Sequence, residues 1–171
     1  MKAKFETELG DFTIQLAMDE APITAAYFRD IIKSGAFVGS SIFRIVGGDN
    51  AAIRADNPIE VVQGGLKDTD DQPVDPVCHE QTSETGHSQK QWSVSAARFG
   101  PGETYGSYFI CMRDEPALDF GGKRHPDGQG FAVFGKVISG FEVVQAIFEK
   151  RESEEFLKSP LPIRTCSLVN I

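Results

Sequence analysis

Length, composition and charge already limit what this chain can be. Its 171 residues are the usual size of one domain, and we expect a single domain over residues 1–171. Hydrophobic residues make up 40% and charged residues 25%, a globular balance that argues against wholesale disorder. The formal net charge of −8 counts against nucleic acid or an anionic membrane surface as the main partner.

The cysteines and the amino-terminal residues bear on the cellular compartment. Cys78, Cys111 and Cys166 form no CxxC pair, so reduced thiols are the simpler expectation, although one disulfide stays possible. No apolar run approaches the roughly 18–20 residues that a transmembrane helix needs. The first residues lack the apolar core of a signal peptide. We expect a cytoplasmic protein, or a periplasmic one if a signal peptide has been removed.

The chain begins with a predicted β-hairpin followed by a helix. Residues 2–17 hold two runs of alternating apolar and polar residues, with Gly10-Asp11 supplying the turn. Pro22 then opens a helix of about 13 residues, because proline is tolerated in a first turn, and Gly35 closes it. Further β-rich runs predict strands at 41–46, 59–63, 91–97, 107–112, 131–137 and 163–171, and residues 141–150 predict a second helix.

Turn-rich segments separate these elements. We expect Gly64-Gly65 to end the strand before it. We also expect surface loops at 47–58, 66–90 and 121–130. Their composition is equally compatible with contacts to a partner and with a solvent-exposed surface that has no binding role. Short strands with two distant helices favour an antiparallel barrel or sandwich with a helix at each end. Closing the barrel would leave no unpaired edge. No heptad or long apolar stripe suggests a dimer, so we expect a monomer.

Common catalytic and metal-binding patterns are absent from the sequence. It holds no GxSxG, Walker or HExxH motif, and no GxGxxG after a strand. His79, His87 and His125 fall in predicted loops, and the neighbouring Cys78 completes no standard zinc spacing. Residues 68–73 begin like a calcium loop but lack its sixth-position glycine and closing glutamate. Solvated loop side chains are the favoured interpretation of these groups.

Three residues interrupt otherwise regular strand patterns. Arg44 lies inside an apolar run, Gln63 precedes a double glycine, and Phe109 follows a tyrosine in a strand. Taken singly, each has a structural explanation: an arginine at the rim of a sheet, a strand cap and a core phenylalanine. The acidic run 152–155 is most simply an exposed charged surface.

The order of several short segments resembles the cyclophilin-type peptidyl-prolyl isomerases. The segments are 21–28 (APITAAYF), 35–37 (GAF), 41–46 (SIFRIV), 62–65 (VQGG), 95–97 (SAA), 105–111 (YGSYFIC), 117–119 (ALD) and 130–137 (GFAVFGKV). No one motif is decisive, but the set spans nearly the whole chain in the family's order. The resemblance implies a mainly β fold, an eight-stranded closed antiparallel barrel capped by two α-helices, which agrees with the independent strand pattern.

The resemblance also implies which residues carry the activity. Arg44 matches the catalytic arginine, Gln63 the site glutamine and Phe109 the floor of the proline pocket. Ala97 falls on a site alanine and Leu118 on a leucine of the pocket wall. The family needs no metal or organic cofactor, and its partners are proline-containing polypeptides.

Several positions depart from the family's usual pattern. The tryptophan that helps to bind cyclosporin falls at Ala117, so we expect weak or no cyclosporin binding. A site histidine falls at Phe131, a strand glutamine at Ser107, and a phenylalanine-methionine pair at Glu60-Val61. The substrate-binding residues implied by the resemblance are therefore Val61, Ala97, Ser107, Leu118 and Phe131.

Two functions follow from these residues. The first is an isomerase that assists protein folding, in which Arg44 donates a hydrogen bond to the prolyl nitrogen of a twisted X-Pro bond. The alternative is a non-catalytic module that binds proline peptides on the same barrel, suggested by the altered pocket. The long segment between Arg44 and Gln63 leaves open whether these two side chains converge. Activity that depends on Arg44 distinguishes the two.

Overall fold

A computed structural model of the protein describes residues 1–50, 56–70 and 72–169. The remaining residues belong to three predicted segments: 51–55 to the 47–58 loop, 71 to the 66–90 loop with its calcium-like run, and 170–171 to the last strand. Those parts of the predictions lie outside the described residues.

Eight strands and three helices form within the described residues. The strands are β1 (Lys2–Thr7), β2 (Gly10–Leu16), β3 (Ser41–Val46), β4 (Val61–Gly65), β5 (Ser93–Arg98), β6 (Thr104–Cys111), β7 (Val133–Ser139) and β8 (Phe156–Val169). The helices are α1 (Pro22–Ser34), α2 (Thr82–Thr85) and α3 (Phe141–Phe148), with a 3-10 turn at Pro116–Leu118. The strands pair antiparallel in the order β1-β2-β7-β5-β6-β4-β3-β8 and close on themselves, which confirms the predicted barrel. The short helix α2 lies in the predicted 66–90 loop and adds to the two predicted helices.

Local sequence accounts for the hairpin and for α1. β1 and β2 pair in one unbroken register, from Lys2 opposite Gln15 to Thr7 opposite Gly10, as the alternating pattern predicted. α1 begins at Pro22 and ends where Gly35 adopts φ +79°, a left-handed conformation that glycine tolerates. The carboxylate of the distant Glu80 accepts hydrogen bonds from the backbone N–H groups of Ile23 and Thr24. A loop residue thus caps the helix, because Ala21 before it offers no polar side chain.

The double glycine continues its strand, and the prediction that it ends the strand is wrong. Gly64 and Gly65 belong to β4 and pair with Tyr108 and Ser107 of β6. A Cβ atom added at Gly65 would lie 2.5 Å from the carbonyl oxygen of Gly106. Glycine is therefore needed here for close approach of two strands.

The last strand is longer than predicted. β8 starts at Phe156, seven positions before the predicted start at residue 163. Pro160 and Pro162 hide this extension in the sequence because proline is rare inside strands. Pro162 nevertheless pairs with Ser41 at the point where β8 runs beside β3. β6 also begins earlier than predicted, at Thr104, so the glycine-rich bend before it is shorter.

The barrel buries apolar side chains on both of its faces around β4 and β6. Side chains of β6 alternate: Tyr108 and Ile110 join the main core inside the barrel, whereas Phe109 and Cys111 join a small outer cluster. α1 closes one part of the main core with Phe28, whose ring stacks on Phe134 with centroids 3.9 Å apart. The outer cluster is the apolar foundation of the site described next.

The sequence led us to expect reduced cysteines and no transmembrane helix, and the structure bears on both points. All three cysteines are free; Cys78 is exposed, whereas Cys111 and Cys166 are buried. Burial raises the pKa of Cys166 to about 12, so this thiol stays protonated at neutral pH. Within the described ranges, no helix combines the length and the apolar character needed to cross a membrane.

Candidate active site

A cavity of about 520 Å³ opens on the outer face of the barrel, over β4 and β6. The predicted site residues that line it are Arg44, Val61, Gln63, Ala97, Phe109, Leu118 and Phe131. Ser107, the other predicted residue, does not line it. The cavity is also lined by residues that were not predicted as site residues: Ile59, Arg98, Phe99, Tyr105, Arg124 and His125. Seven of the eight predicted residues thus line one cavity, and six further residues complete its wall.

A β-bulge directs Arg44 into the cavity. The register of β3 shifts between Ile42 and Arg44 in its pairing with β4 and again in its pairing with β8. An extra residue of this kind bends a strand and re-aims its side chains. Phe43 is consequently buried, and its ring stacks on Phe156 with centroids 6.4 Å apart. The guanidinium of Arg44 lies over the same Phe156 ring, 5.6 Å from its centroid.

Two neighbouring side chains hold the guanidinium of Arg44. Its Nη1 donates a hydrogen bond to Gln63 Oε1 at 3.0 Å. Its Nε and Nη2 both donate to Glu155 Oε2, at 3.0 and 2.6 Å. An arginine has five N–H groups, so two of them are bound by none of the described residues and can serve a ligand in the cavity. Arg44 and Gln63 therefore converge despite the long segment between them.

Gln63 is itself held from behind. Its Nε2 donates a hydrogen bond to Ser107 Oγ at 2.9 Å, so Ser107 supports the site without facing the cavity. Burial raises the pKa of Tyr105 above its ordinary value, against the opposing effect of its hydrogen bonds to Ser107 and Gln63. The hydroxyl group of Tyr105 is thus neutral. It ends a series of polar side chains that runs from Arg44 through Gln63 and Ser107.

The apolar floor of the cavity is built from the outer cluster. Phe109 and Phe131 meet edge to face, with ring centroids 5.4 Å apart and an interplanar angle of 88°. Leu118 is fully buried beside them. Edge-to-face packing is a favourable arrangement for aromatic rings and fixes both of them. The result is a rigid apolar recess next to a fixed cation.

An ion pair supports the Phe131 wall. Arg98 is buried, and its Nη1 and Nη2 donate to the two carboxylate oxygens of Asp127 at 2.7 and 2.9 Å. Arg98 also donates to the carbonyl oxygen of Gly130 and lies 5.3 Å from the centroid of the Phe131 ring. Hydrogen bonding by Arg98 holds the pKa of Asp127 well below its ordinary range. The pair fixes the 121–130 loop against the cavity.

The histidines do not form a metal site in the part of the chain that the structure describes. No cluster of three or more His, Cys, Asp or Glu side chains occurs within it. The interpretation of His79 as a solvated side chain is wrong. It is buried, with Nε2 3.3 Å from the carbonyl oxygen of Gln129, and burial lowers its pKa.

Comparison with known families identifies the family of this chain. The sequence profile of the family described as cyclophilin type peptidyl-prolyl cis-trans isomerase/CLD matches residues 2–168. The chain belongs to the cyclophilin-type peptidyl-prolyl cis-trans isomerases. It is an isomerase of this type, and family membership implies proline-containing polypeptides as substrates.

Individual cyclophilins agree with this assignment. A peptidyl-prolyl cis-trans isomerase of Acinetobacter baylyi is 25% identical over 172 residues, which cover 98% of this chain and 82% of the relative. A second isomerase, from Streptomyces antibioticus, is 28% identical over 148 residues, with 84% and 81% covered. A Cryptosporidium parvum cyclophilin-type isomerase, crystallised in the presence of the dipeptide Ala-Pro, has a TM-score of 0.78 at 16% identity and covers 100% of both chains. This structural likeness confirms the cyclophilin fold.

The residue of this cyclophilin that sequence reasoning missed most clearly is Glu155. The acidic run 152–155 was expected to be exposed, but the Glu155 side chain is only 3% exposed and is paired with Arg44. The run is followed at once by Phe156, where β8 begins beside Arg44. An unrecognised strand start thus concealed a buried carboxylate.

Proposed function

We propose that this cyclophilin accelerates rotation about X-Pro bonds through Arg44, with Gln63 and Phe109 as the other catalytic residues. One observation carries the proposal: a guanidinium with two N–H groups that none of the described residues binds lies at the edge of an apolar recess floored by Phe109. Slow rotation of these bonds, over tens of seconds or longer, can limit the folding of a protein. Assistance to protein folding is the expected role.

The chemistry requires no proton transfer and no covalent bond to the protein. The rotational barrier of roughly 20 kcal/mol is the amide resonance that is lost on twisting. In the twisted state the prolyl nitrogen regains a basic lone pair. A hydrogen bond from Arg44 to this nitrogen is stronger in the twisted state than in the planar state, and only such differential binding lowers the barrier.

The apolar recess supplies the fixed side of the rotation. Phe109, Leu118 and Phe131 would enclose the pyrrolidine ring, with Val61 and Ala97 at the margin. Holding the ring leaves the preceding acyl group free to rotate. Gln63 keeps Arg44 in place and offers its amide to the substrate backbone. The Ala-Pro dipeptide named for the Cryptosporidium crystals is a ligand of the size and chemistry that we propose for this recess.

The direct test is the cis-to-trans rate of a short Ala-Pro-Phe peptide. We expect the wild-type protein to accelerate it and Arg44→Ala to lose roughly a hundredfold in kcat/KM, the usual effect of removing one transition-state donor. Arg164→Ala, at an exposed position of β8, is the matched control and should retain full activity. No acceleration by folded wild-type protein on several X-Pro peptides would leave peptide binding alone as the function.

A further inference from the structure

A buried carboxylate lies behind the guanidinium of Arg44. The Glu155 side chain is 3% exposed and that of Arg44 is 19% exposed, so their ion pair is largely removed from water. One oxygen, Oε2, accepts from both Nε and Nη2 of Arg44. The other oxygen, Oε1, is buried and accepts no hydrogen bond from the described residues. Within the described part of the chain, this carboxylate therefore accepts side-chain hydrogen bonds from Arg44 alone.

Hydrogen bonds attach the backbone around Glu155 to β3, the strand that carries Arg44. The Ile45 N–H donates to the carbonyl oxygen of Glu155 at 2.8 Å. Asn50 is buried and its Nδ2 donates to the carbonyl oxygens of Ile45 and Glu152, both at 2.9 Å. The segment before β8 is thereby held to the end of β3. The backbone position of Glu155 is therefore fixed relative to Arg44.

The two partners of Arg44 act on different N–H groups. Gln63 holds Nη1, while Glu155 holds Nε and Nη2. A planar guanidinium held only at Nη1 could turn about that one hydrogen bond. The second contact fixes its plane and thus the direction of the two N–H groups left over. Misplacement of a catalytic group by about 1 Å is enough to reduce a rate roughly a hundredfold.

We propose that Glu155 is a positioning residue, which orients Arg44 for hydrogen bonding to the twisted prolyl bond. The inference rests on the proposed function of Arg44. Replacing a buried ion pair by apolar residues is often neutral or stabilising, so fold stability alone is a weak reason for this pair. Orientation of the donor supplies a reason that stability does not. Glu155 itself touches no substrate in this scheme.

The test compares Glu155→Gln with Glu154→Gln, a matched change at the exposed neighbouring position. Both are made in the wild-type and Arg44→Ala proteins. Four quantities are measured: kcat and KM for the Ala-Pro-Phe peptide, the peptide Kd, and the Nε–H resonance of Arg44 in a 15N-labelled sample. Glu155→Asp, which keeps the charge but shortens the side chain by one methylene, serves as a second variant if Glu155→Gln does not fold.

A positioning role predicts a specific combination of results. Glu155→Gln should lower kcat roughly tenfold or more, leave the peptide Kd within about twofold, and shift the Arg44 resonance. In the Arg44→Ala background the same change should cause no further loss of activity, since it acts through Arg44. Glu154→Gln should change nothing.

Other results would overturn the inference, and they are distinct from failure of the proposed function. Full kcat in folded Glu155→Gln or Glu155→Asp would show that Arg44 needs no such support. An equal loss in the Arg44→Ala background would show that Glu155 acts only on the fold. If wild-type protein gives no acceleration, the proposed function fails, and an unshifted Arg44 resonance would separately refute the orienting contact.

Discussion

Arg44 and Gln63 lie 19 positions apart in the chain, yet Nη1 of the first is 3.0 Å from Oε1 of the second. They are register partners on β3 and β4. The pairing of these two strands at the site is therefore maintained across the long connection between them. Because antiparallel partners share one face of a sheet, the strand register itself brings the two side chains together.

The hydrogen bond between Arg44 and Gln63 predicts that isomerase activity falls more when Gln63 is truncated than when its partner Ser107 is. Gln63→Ala should lower kcat/KM roughly tenfold, because one hydrogen bond to a charged group is lost while Glu155 still holds Arg44. Ser107→Ala should have a smaller effect, since Ser107 acts only through the amide of Gln63. Isomerase kinetics on the Ala-Pro-Phe peptide measure both. Gln145→Ala, at an exposed position on α3, is the control. A larger loss for Ser107→Ala than for Gln63→Ala would contradict this order.

The Arg98–Asp127 pair predicts a dependence of stability on pH. The folded pKa of Asp127 lies well below its ordinary value of 3.8, chiefly because Arg98 donates hydrogen bonds to it. A depressed folded pKa means that the stabilisation is complete above the unfolded pKa and is lost as pH falls toward the folded one. Asp127→Asn should therefore lower the free energy of unfolding by about 2 kcal/mol at neutral pH.

The measurement is denaturant unfolding of the wild-type and Asp127→Asn proteins across a pH series. Their difference should be constant above about pH 5 and should shrink below about pH 4, because the carboxylate of the unfolded wild-type chain then takes up a proton while that of the folded protein stays ionised. A difference that stays constant down to about pH 2 would mean that the ion pair does not stabilise the fold.

Local and ordered features of this chain could be predicted from its sequence. Alternation predicted the hairpin of β1 and β2, and Pro22 and Gly35 bounded α1. The order of segments placed Arg44 and Gln63 at one site, where the structure brings them together. These features depend on residues close together in the chain or on the order of segments in a family. A single sequence contains both kinds of information.

Contacts that cross the fold could not be predicted in this way. Glu155 lies 111 positions from Arg44, and only the pairing of β3 with β8 brings them together. The prolines in β8 concealed that strand, so its first residues were not recognised as part of a sheet. Arg98 gave no signal either, because its partner Asp127 lies in a loop without periodicity.

The buried carboxylate of Glu155 predicts that a second substitution can restore stability lost in the Arg44→Ala variant. Arg44→Ala should lower the free energy of unfolding by about 2 kcal/mol, because it leaves Glu155 buried without its cation. The double variant Arg44→Ala with Glu155→Gln should regain much of this loss, since a neutral amide is less costly to bury than a carboxylate. Urea unfolding at neutral pH measures both. A double variant less stable than Arg44→Ala would show that Glu155 stabilises the fold without Arg44.

The position of Ala117 predicts the response to cyclosporin. The family's tryptophan is absent here, and Ala117 lies half-buried in the turn before Leu118, beside the recess. We expect little inhibition of the wild-type isomerase, and an inhibitory concentration roughly tenfold lower for Ala117→Trp, which adds an aromatic surface and an indole N–H donor. Ala117→Leu adds apolar volume without the donor and is the matched control. Strong inhibition of the wild-type protein would show that the recess binds the drug without this tryptophan.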